Sequence, residues 1–305
     1  MIQQFAGIDV GGTTMKSLVV DEAGKMTQGP TIATGKNAAK MLAQLALELA
    51  KDNPNIRGIG IVSPGIVDAE SGVVQYTANL DLQGEPIVQI VQELTGVPTL
   101  LSHDGRAGGM AEATLGAGRG TDNFVMVPIG TGISAALFTG GSVIAGATYS
   151  AGEIGHIPVF PDGTPCSCGQ RGCMEVYASA SAIARRYGEL SGKQATALEV
   201  EQLLGKDLHA DQTWHEAVQA LALGLTHVTL ILDPELIIIG GGLSGAGEKL
   251  LTPLHASMKQ MMAWRTPPRL EVSQLGENAG KWGAAILGAM AAGSTSFESW
   301  SLDGK

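Results

Sequence analysis

Three cysteines, Cys166, Cys168 and Cys173, lie within eight residues of this 305-residue chain, and His156 precedes the first by ten residues. Three thiols and one imidazole form a complete tetrahedral ligand set for zinc. Because the protein would fill all four positions, no position remains for a catalytic water. The spacing therefore predicts a structural zinc site.

A disulfide is the alternative interpretation of the cysteine cluster. An odd number of cysteines cannot pair completely. A bridge between Cys166 and Cys168 would also be strained, because disulfide geometry is demanding. The glycines and the proline of this stretch suit a tight, irregular metal loop.

Two carboxylates, Glu153 and Glu175, flank the cysteine cluster. An ionised carboxylate accepts several hydrogen bonds, so both side chains could hold vicinal hydroxyls of a sugar. His156 would bind zinc through one ring nitrogen, and its second nitrogen needs a partner, which a sugar hydroxyl could provide. The alternative is that both glutamates are solvated loop residues.

A glycine-rich turn near the start of the chain is a candidate phosphate site. It comprises Asp9, Gly11, Gly12, Thr13, Thr14 and Lys16. Glycines allow backbone N–H groups to approach an anion, and Asp9 could hold Mg²⁺ as a hard oxygen ligand. An ordinary hairpin turn is the alternative, but a second strand–turn–strand unit with Gly130, Thr131 and Gly132 at its tip favours the phosphate interpretation. Neither turn is a Walker A loop.

A third glycine cluster, Gly240, Gly241 and Gly242, ends a wholly apolar strand. Ligands of open α/β sheets lie at the carboxyl ends of strands, so adenosine could rest against this backbone. A plain turn is equally compatible with the glycines. Asp104 follows another predicted strand and is a candidate general base, although Asp at that position is more commonly a helix N-cap.

Composition narrows the class of protein. The formal net charge is −10, and the basic residues form no stripe or arm, so we expect no nucleic-acid partner. We expect no signal peptide and no membrane span, because strand-like sequence starts almost at Met1 and no apolar stretch is long and unbroken enough. Clustered thiols bound to a metal fit a reducing cytoplasm.

Apolar periodicity predicts an α/β protein with two halves. The strands Phe5–Val10 and Ser17–Val20 form one hairpin around a glycine tip, and 124–129 with 134–139 form another. This duplication predicts an interdomain cleft. We expect a first domain over 1–115, a larger second domain over 116–280 that carries the zinc loop 151–175, a helix 281–292 that packs back on the first domain, and a loosely held polar tail, 293–305.

Together these motifs resemble the ROK family of bacterial sugar kinases and repressors, over nearly the whole chain. The stretch from Ala151 through His156 to Glu175 is the most specific match. Residues 9–16 and 61–68 are similar to the first phosphate motif and the sugar-side turn of the family. The resemblance implies an actin-like, hexokinase-type fold with duplicated βββαβα units.

The resemblance further implies phosphorylation of a hexose at its 6-hydroxyl by ATP and Mg²⁺, in a homodimer or homotetramer. It assigns the catalytic base to Asp104 and sugar contacts to Gly65, Asn79, Glu153, His156 and Glu175. The family usually has Asn-Asp where this chain has His103-Asp104. A histidine is bulkier and its hydrogen bonding depends on its tautomer, so the substitution bears on the sugar.

We therefore expect a glucokinase, with N-acetylmannosamine, N-acetylglucosamine, fructose and mannose as alternative substrates and His103 beside the sugar. A repressor of the family carries a DNA-binding domain ahead of the first glycine motif. Only eight residues precede Asp9 here, so we expect no such domain. A non-catalytic sugar-binding protein would not need Asp104 and both phosphate turns.

Overall fold

The computed structural model describes residues 2–77 and 80–302. Its internal contacts divide the chain into two compact units. The first unit comprises Met1–Arg119, Ala145–Ser150 and Asn278–Lys305, and the second comprises Gly120–Ile144 and Ala151–Glu277. The six residues 145–150 lie with the first unit, whereas the sequence-based division places them in the second domain.

The first unit is built on a five-stranded sheet. The strands of the unit, including a separate pair, are β1 (Gln4–Val10), β2 (Thr14–Asp21), β3 (Met26–Ala33), β4 (Ile56–Ser63), β5 (Ile66–Asp68), β6 (Val73–Tyr76) and β7 (Thr99–His103). The main sheet has the order β3-β2-β1-β4-β7, and β5 pairs with β6 separately. β1, β4 and β7 are parallel, so their carboxyl ends lie at one edge of the sheet.

Three helices lie among the strands of the first unit. They are α1 (Ala38–Asp52), α2 (Ile87–Thr95) and α3 (Asp104–Leu115). α1 buries Leu42, Leu45 and Leu49, which recur at helical spacing along one face. α2 ends at Gly96, whose left-handed backbone donates its N–H to the carbonyl of Gln92.

The second unit repeats the sheet topology. Its strands are β8 (Phe124–Pro128), β9 (Ala136–Thr139), β10 (Ser142–Val143), β11 (Leu236–Gly240) and β12 (Arg269–Val272), in the order β10-β9-β8-β11-β12. In both sheets an antiparallel meander of three strands is extended by two parallel strands. The predicted duplication of an α/β unit is therefore confirmed.

The helices of the second unit are α4 (Glu175–Ala178), α5 (Ala180–Ser191), α6 (Ala197–Gln202), α7 (Leu208–Leu232) and α8 (Glu248–Met261). α6 begins with a capping box, in which Thr196 and Glu199 satisfy each other's backbone N–H groups. α7 is the central helix of this unit, with thirteen of its residues buried.

α7 is also long and apolar enough to cross a membrane by length and composition alone, which corrects the expectation that no such stretch exists. Buried residues make up 56% of its most apolar window. A helix in the core of a protein meets the same criteria of length and composition, because the faces that pack against other elements must be apolar. Its neighbours α5 and α8 and the core residues around Leu221 and Leu225 account for its composition.

The last helix, α9 (Ala279–Ala291), returns to the first unit and packs against β1, β4, β7 and α3. Backbone meets backbone in this contact. A Cβ atom at Gly60 of β4 would stand only 1.9 Å from the carbonyl oxygen of Ala284, so a glycine is required there. The sequence predicts this helix from its small residues, and the close approach explains why they are small.

The final segment is not loosely held over its described part, 293–302, contrary to the sequence-based expectation. Trp300 is fully buried, and its ring lies 6.1 Å from that of Phe5 and 6.0 Å from that of Trp282. Its Nε1–H donates to the carbonyl of Glu22 at 3.3 Å. Burial of one large aromatic ring outweighs the polar character of the residues around it.

Candidate active site

The first glycine turn joins β1 to β2. The N–H of Gly11 donates to the carbonyl of Thr14 at 2.9 Å, and the Thr34 hydroxyl donates to the Gly11 carbonyl at 2.8 Å. Gly12 and Thr13 are exposed at the tip. The turn is thus braced at its base and open at its tip, as a phosphate-binding turn must be.

Asp9 lies at the carboxyl end of β1, opposite Lys16 of β2. Burial, and after it the nearby charge of Asp104, raise the pKa of its carboxyl group to about 6, against the opposing effects of Lys16 and Lys281. A desolvated carboxylate beside a second carboxylate favours a bound cation. The donor is the hard oxygen that Mg²⁺ prefers, so Asp9 fits the predicted role of magnesium ligand.

The start of α9 is a neighbour of Asp9 that the sequence analysis missed. A Cβ atom at Gly280 would stand 3.1 Å from Oδ2 of Asp9, and Lys281 adds a positive charge. The backbone N–H groups at a helix N-terminus favour anions. The signal in the sequence was a glycine followed by lysine at the beginning of a helix, but nothing in the pattern indicated that it would meet residue 9.

Asp104 is the first residue of α3, directly after β7. The cap of this helix is His103 rather than Asp104, because the His103 side chain accepts from the N–H of Gly105 at 3.2 Å. Asp104 is therefore the first residue of the helix rather than its N-cap, although its carboxylate accepts from the same N–H group. Oδ1 of Asp104 accepts from the Gly105 N–H at 2.6 Å and lies 3.3 Å from Nε2 of His103. The Asp104 side chain is 42% exposed, which leaves it accessible to a substrate.

The sugar-side turn follows β4, and Gly65 lies there with a φ of +99°. Arg106 of α3 is buried and donates to the carbonyl oxygens of Val67 and Tyr149, at 3.2 and 3.0 Å. It thereby ties segment 145–150 to β5 within the first unit. Asn79, a predicted sugar contact, lies outside the described residues.

The second glycine turn, Gly130 to Gly132, follows β8 in the second unit. Ala180 donates its N–H to the carbonyl of Gly130 at 2.8 Å, and Ser181 donates its hydroxyl to that of Thr131 at 2.5 Å. Glu175 reaches the same turn, because its Oε2 accepts from the N–H of Ile133 at 2.8 Å. One predicted sugar ligand therefore also supports a predicted phosphate turn.

The third glycine cluster lies beside the second turn. β8 and β11 are adjacent and parallel, and the N–H of Leu243 donates to the carbonyl of Ile129 at 3.2 Å. Gly242 begins a short 3₁₀ helix, Gly242–Ala246. A cavity of about 240 Å³ opens here, and it is lined by Ala180, Thr196, Ala197, Leu198, Glu201, Gly242, Leu243, Gly245 and Ala246. A small, mainly apolar cavity beside a predicted phosphate turn suits a nucleobase.

The predicted zinc ligands meet at one point. The ligand atoms of His156, Cys166, Cys168 and Cys173 all lie within 4.8 Å of one another. Nδ1 of His156 is 3.7 Å from Sγ of Cys166, and Sγ of Cys168 is 3.7 Å from Sγ of Cys173. Tetrahedral Zn–S bonds of about 2.3 Å would place two sulfurs about 3.8 Å apart. The four residues fit a zinc ion.

Local hydrogen bonds shape this loop. Cys166 donates its N–H to the carbonyl of Gln170 at 2.8 Å, and Phe160 donates to that of Gly172 at 3.1 Å. The Tyr177 hydroxyl accepts from the Thr164 N–H at 2.8 Å. Met174, next to the last cysteine, is fully buried in the core that surrounds α7. The loop is irregular but is anchored at both ends.

Glu153 and His156 belong to a single turn, which includes the 3₁₀ helix Ile154–His156. Ala135 donates its N–H to the carbonyl of Gly152 at 2.7 Å, which fixes this turn beside the strand that follows the second glycine turn. Since Nδ1 of His156 faces the thiols, Nε2 is the nitrogen available to a sugar hydroxyl. Glu153 is exposed and Glu175 is half-buried.

Comparison with known proteins agrees with this geometry. The sequence matches the ROK family over residues 5–290. A glucokinase from Thermotoga maritima is 35% identical over 308 residues, which cover 93% of this chain and 96% of that protein. An N-acetylmannosamine kinase from Yersinia pseudotuberculosis is 30% identical and covers 92% of this chain and 96% of its own length.

A solved structure has the same fold. The ROK family glucokinase from Streptomyces griseus, in complex with glucose and AMPPNP, superposes with a TM-score of 0.80 at 28% identity, over 94% of this chain and 99% of that one. The expected hexokinase-type α/β fold is therefore confirmed. The chain belongs to the ROK family.

Removal of one zinc ligand should release the metal and loosen the loop. Cys168 is exposed, so Cys168→Ser changes a ligand with little change in packing. We expect about one zinc per chain in the unaltered protein, less than half in the variant, and a Tm lower by about 5–10 °C. Elemental analysis and thermal unfolding measure both. Ser167→Ala, in the same loop, is the matched control, and active protein with clearly less than one zinc per chain would contradict the assignment.

The raised pKa of Asp9 predicts that its ionised form destabilises the fold. Asp9→Asn should raise the free energy of unfolding at pH 8 by about 3 kcal/mol, since the pKa changes from 3.8 to about 6. Below pH 6 the Asp9 carboxyl group is protonated in the folded protein before it is protonated in the unfolded chain. The increase in the free energy of unfolding that the substitution gives should therefore shrink to about half at pH 5. Urea unfolding without nucleotide or Mg²⁺ tests this, with exposed Asp52→Asn as control. An equal gain at both pH values would refute it.

Proposed function

We propose that this protein, an ATP-dependent sugar kinase of the ROK family, transfers the γ-phosphoryl group of ATP to the 6-hydroxyl of glucose. One observation carries the proposal. Asp9 and Asp104 come from the carboxyl ends of parallel strands in one sheet, and the charge of Asp104 raises the pKa of Asp9. Two interacting carboxylates at one sheet edge supply a proton acceptor and a cation ligand.

Asp104 is the proposed base. Its carboxylate accepts the proton of the 6-hydroxyl as the oxygen bonds to the γ-phosphorus and the bond to the β-phosphate oxygen breaks, which leaves ADP. Phosphoryl transfer depends mainly on positioning and on stabilisation of charge. The accessible side chain at the first turn of a helix suits such a role, because the strand before it and the helix after it hold its backbone.

Asp9 and the two glycine turns are the proposed phosphate site. Mg²⁺, when bound, neutralises charge on the phosphates, and Asp9 is the residue that would hold it. The exposed backbone of Gly12 and Thr13 and the side chain of Lys16 offer donors to the phosphates. Gly130, Thr131 and Gly132 offer the same kind of donors in the second unit. The cavity beside Gly242 accommodates the adenine base.

Glu153, His156 and Glu175 are the proposed sugar ligands of the second unit, and Gly65, Asn79 and His103 those of the first. Zinc has no chemical step in this scheme. Its role would be to fix the ring of His156 and to shape the loop between the two glutamates. Carboxylates and an imidazole offer acceptors and a donor that match the alternating hydroxyls of a hexose.

Glucose is the proposed sugar because the glucokinase of Thermotoga maritima has the higher identity of the two relatives above. N-acetylmannosamine, N-acetylglucosamine, fructose and mannose are the competing substrates. We also propose a cytoplasmic enzyme that assembles as a homodimer or homotetramer, on the strength of the family resemblance and the clustered thiols.

The substrate is tested by ADP release with ATP, Mg²⁺ and each of the five sugars in turn. We expect the highest kcat/KM for glucose, with the others lower by about tenfold or more, since a polar site left with unpaired groups rejects a poorly matched substrate. A higher kcat/KM for an acetylated sugar would transfer the assignment to that sugar. No ADP release with any hexose or amino sugar would refute the kinase proposal itself.

The base is tested by Asp104→Asn. The amide can still accept from the Gly105 N–H but cannot take up a proton at neutral pH, so we expect kcat to fall by about 10²–10⁴-fold. The Tm and the KM for glucose should change little. Asp52→Asn, on the surface, should retain full turnover. If Asp104→Asn keeps kcat within about threefold of the unaltered enzyme, another group is the base.

A further inference from the structure

Tyr177 joins the predicted metal loop to the helix that carries Glu175. It belongs to α4, two residues after Glu175 and four after Cys173. The residue is buried, with 7% of its surface exposed. Its hydroxyl oxygen accepts a hydrogen bond from the N–H of Thr164 at 2.8 Å. One side chain therefore links the part of the loop before the cysteines to the helix that follows them.

Thr164 is hydrogen-bonded through both of its backbone groups. Its N–H donates to Tyr177, and its carbonyl accepts from the N–H of Gly172 at 2.8 Å. Thr164 lies two residues before Cys166, and Gly172 directly precedes Cys173. A path of hydrogen bonds thus crosses the loop from the tyrosine hydroxyl to the residue before the last cysteine. The position of that hydroxyl therefore bears on the spacing of the metal ligands.

The loop makes room for the hydroxyl at Gly163. A Cβ atom at this position would overlap the hydroxyl oxygen of Tyr177. Gly163 does not have a positive φ, so the glycine is explained by space rather than by backbone conformation. The hydroxyl therefore fits closely against the loop backbone.

The ring of Tyr177 is held by two neighbours. The guanidinium carbon of Arg186 in α5 lies 4.6 Å from the ring centroid, a stabilising cation–π contact. The ring of Phe160 meets it edge-on, with 4.9 Å between the centroids and 78° between the planes. Arg186 also forms an ion pair with Glu216 of α7, so the central helix supports the ring through Arg186. A ring held in this way gives its hydroxyl a fixed position.

We propose that Tyr177 is a positioning residue, whose hydroxyl holds the metal loop to α4 so that the metal ligands and Glu175 keep fixed places relative to each other. The inference rests on the proposed function where it concerns the sugar, because it takes Glu175 as a sugar ligand. Where it concerns the metal, it depends only on the four ligands that fit zinc. Loss of the hydroxyl should therefore weaken both the hold on zinc and the binding of glucose.

Tyr177→Phe removes the hydroxyl and keeps the ring. Because the Thr164 N–H then loses its acceptor, we expect zinc to pass to a chromophoric chelator about 3–10-fold faster than from the unaltered protein. At saturating ATP the KM for glucose should rise by about 3–10-fold, while kcat stays within about twofold, as expected when only substrate binding is weakened. The absorbance of the chelator measures zinc transfer, and ADP release from zinc-loaded protein measures turnover.

Tyr187→Phe is the matched control. Tyr187 of α5 is also a buried tyrosine of the second unit, and its hydroxyl donates to Oδ2 of Asp207 at 3.0 Å. Each substitution deletes one buried hydroxyl group, so each should lower the Tm by about 2–6 °C. Only Tyr177→Phe should speed zinc transfer and raise the KM for glucose, which separates positioning of the loop from a general loss of stability.

Gly163→Ala tests the same contact from the side of the loop. The added methyl group displaces the Tyr177 hydroxyl, so zinc transfer should be about 10-fold faster. In the Tyr177→Phe background there is no hydroxyl oxygen to displace, and the nearest remaining obstacle is the Phe160 carbonyl oxygen, 2.8 Å from the added Cβ. Gly163→Ala should therefore add only about threefold or less in that background.

Contrary results would be clear. Equal rates of zinc transfer in Tyr177→Phe and Tyr187→Phe overturn the inference, and so does an equal effect of Gly163→Ala in both backgrounds. An unchanged KM for glucose in Tyr177→Phe overturns the link to Glu175, and unaltered protein without zinc overturns the link to the metal. If the unaltered protein holds zinc but phosphorylates no sugar, the proposed function is refuted, and the rates of zinc transfer still decide whether Tyr177 holds the loop.

Discussion

The first unit depends on the backbone contact between α9 and the sheet. This one helix packs against β1, β4, β7 and α3, which are the elements that carry or adjoin Asp9, Gly65, His103 and Asp104. The approach is so close that β4 can have no side chain at Gly60. Because close-packed interiors transmit small displacements, a shift of α9 would move both carboxylates of the site. The same helix directs its N-terminus at Asp9, which combines packing with electrostatics.

In the second unit a small group of polar contacts holds the candidate site residues in place, as α9 does in the first unit. Regular secondary structure is sparse between β10 and α4, so the ligand cluster and a few backbone hydrogen bonds define the loop. Glu175 begins α4 and accepts from the turn after β8, and the turn of Glu153 and His156 is fixed beside the strand after it. The proposed sugar ligands and the proposed phosphate turn of this unit are thus coupled over short distances, and a change in either should affect the other.

Local patterns predicted the regular elements well. The two hairpins, β7, β11 and the returning helix α9 were all indicated by local sequence patterns. The patterns failed where long-range packing outweighed local character. The segment 293–302 is polar on average, yet Trp300 is buried between rings from distant parts of the sequence. Residues 145–150 lie with the first unit, where Arg106 donates to the Tyr149 carbonyl, a contact that no local pattern contains.

The sequence by itself determined the chemistry of the site, because ligand type and spacing are local properties. Three thiols and a histidine within eighteen residues indicate a metal site, and glycine turns between strands predict anion sites. Only the tertiary structure decided which groups act on one another. It placed α9 against Asp9, made His103 the N-cap residue of α3, and brought Asp104 close enough to Asp9 for its charge to raise the pKa of that carboxyl group. The physical reason is that hydrogen-bond partners and pKa values depend on neighbours in space.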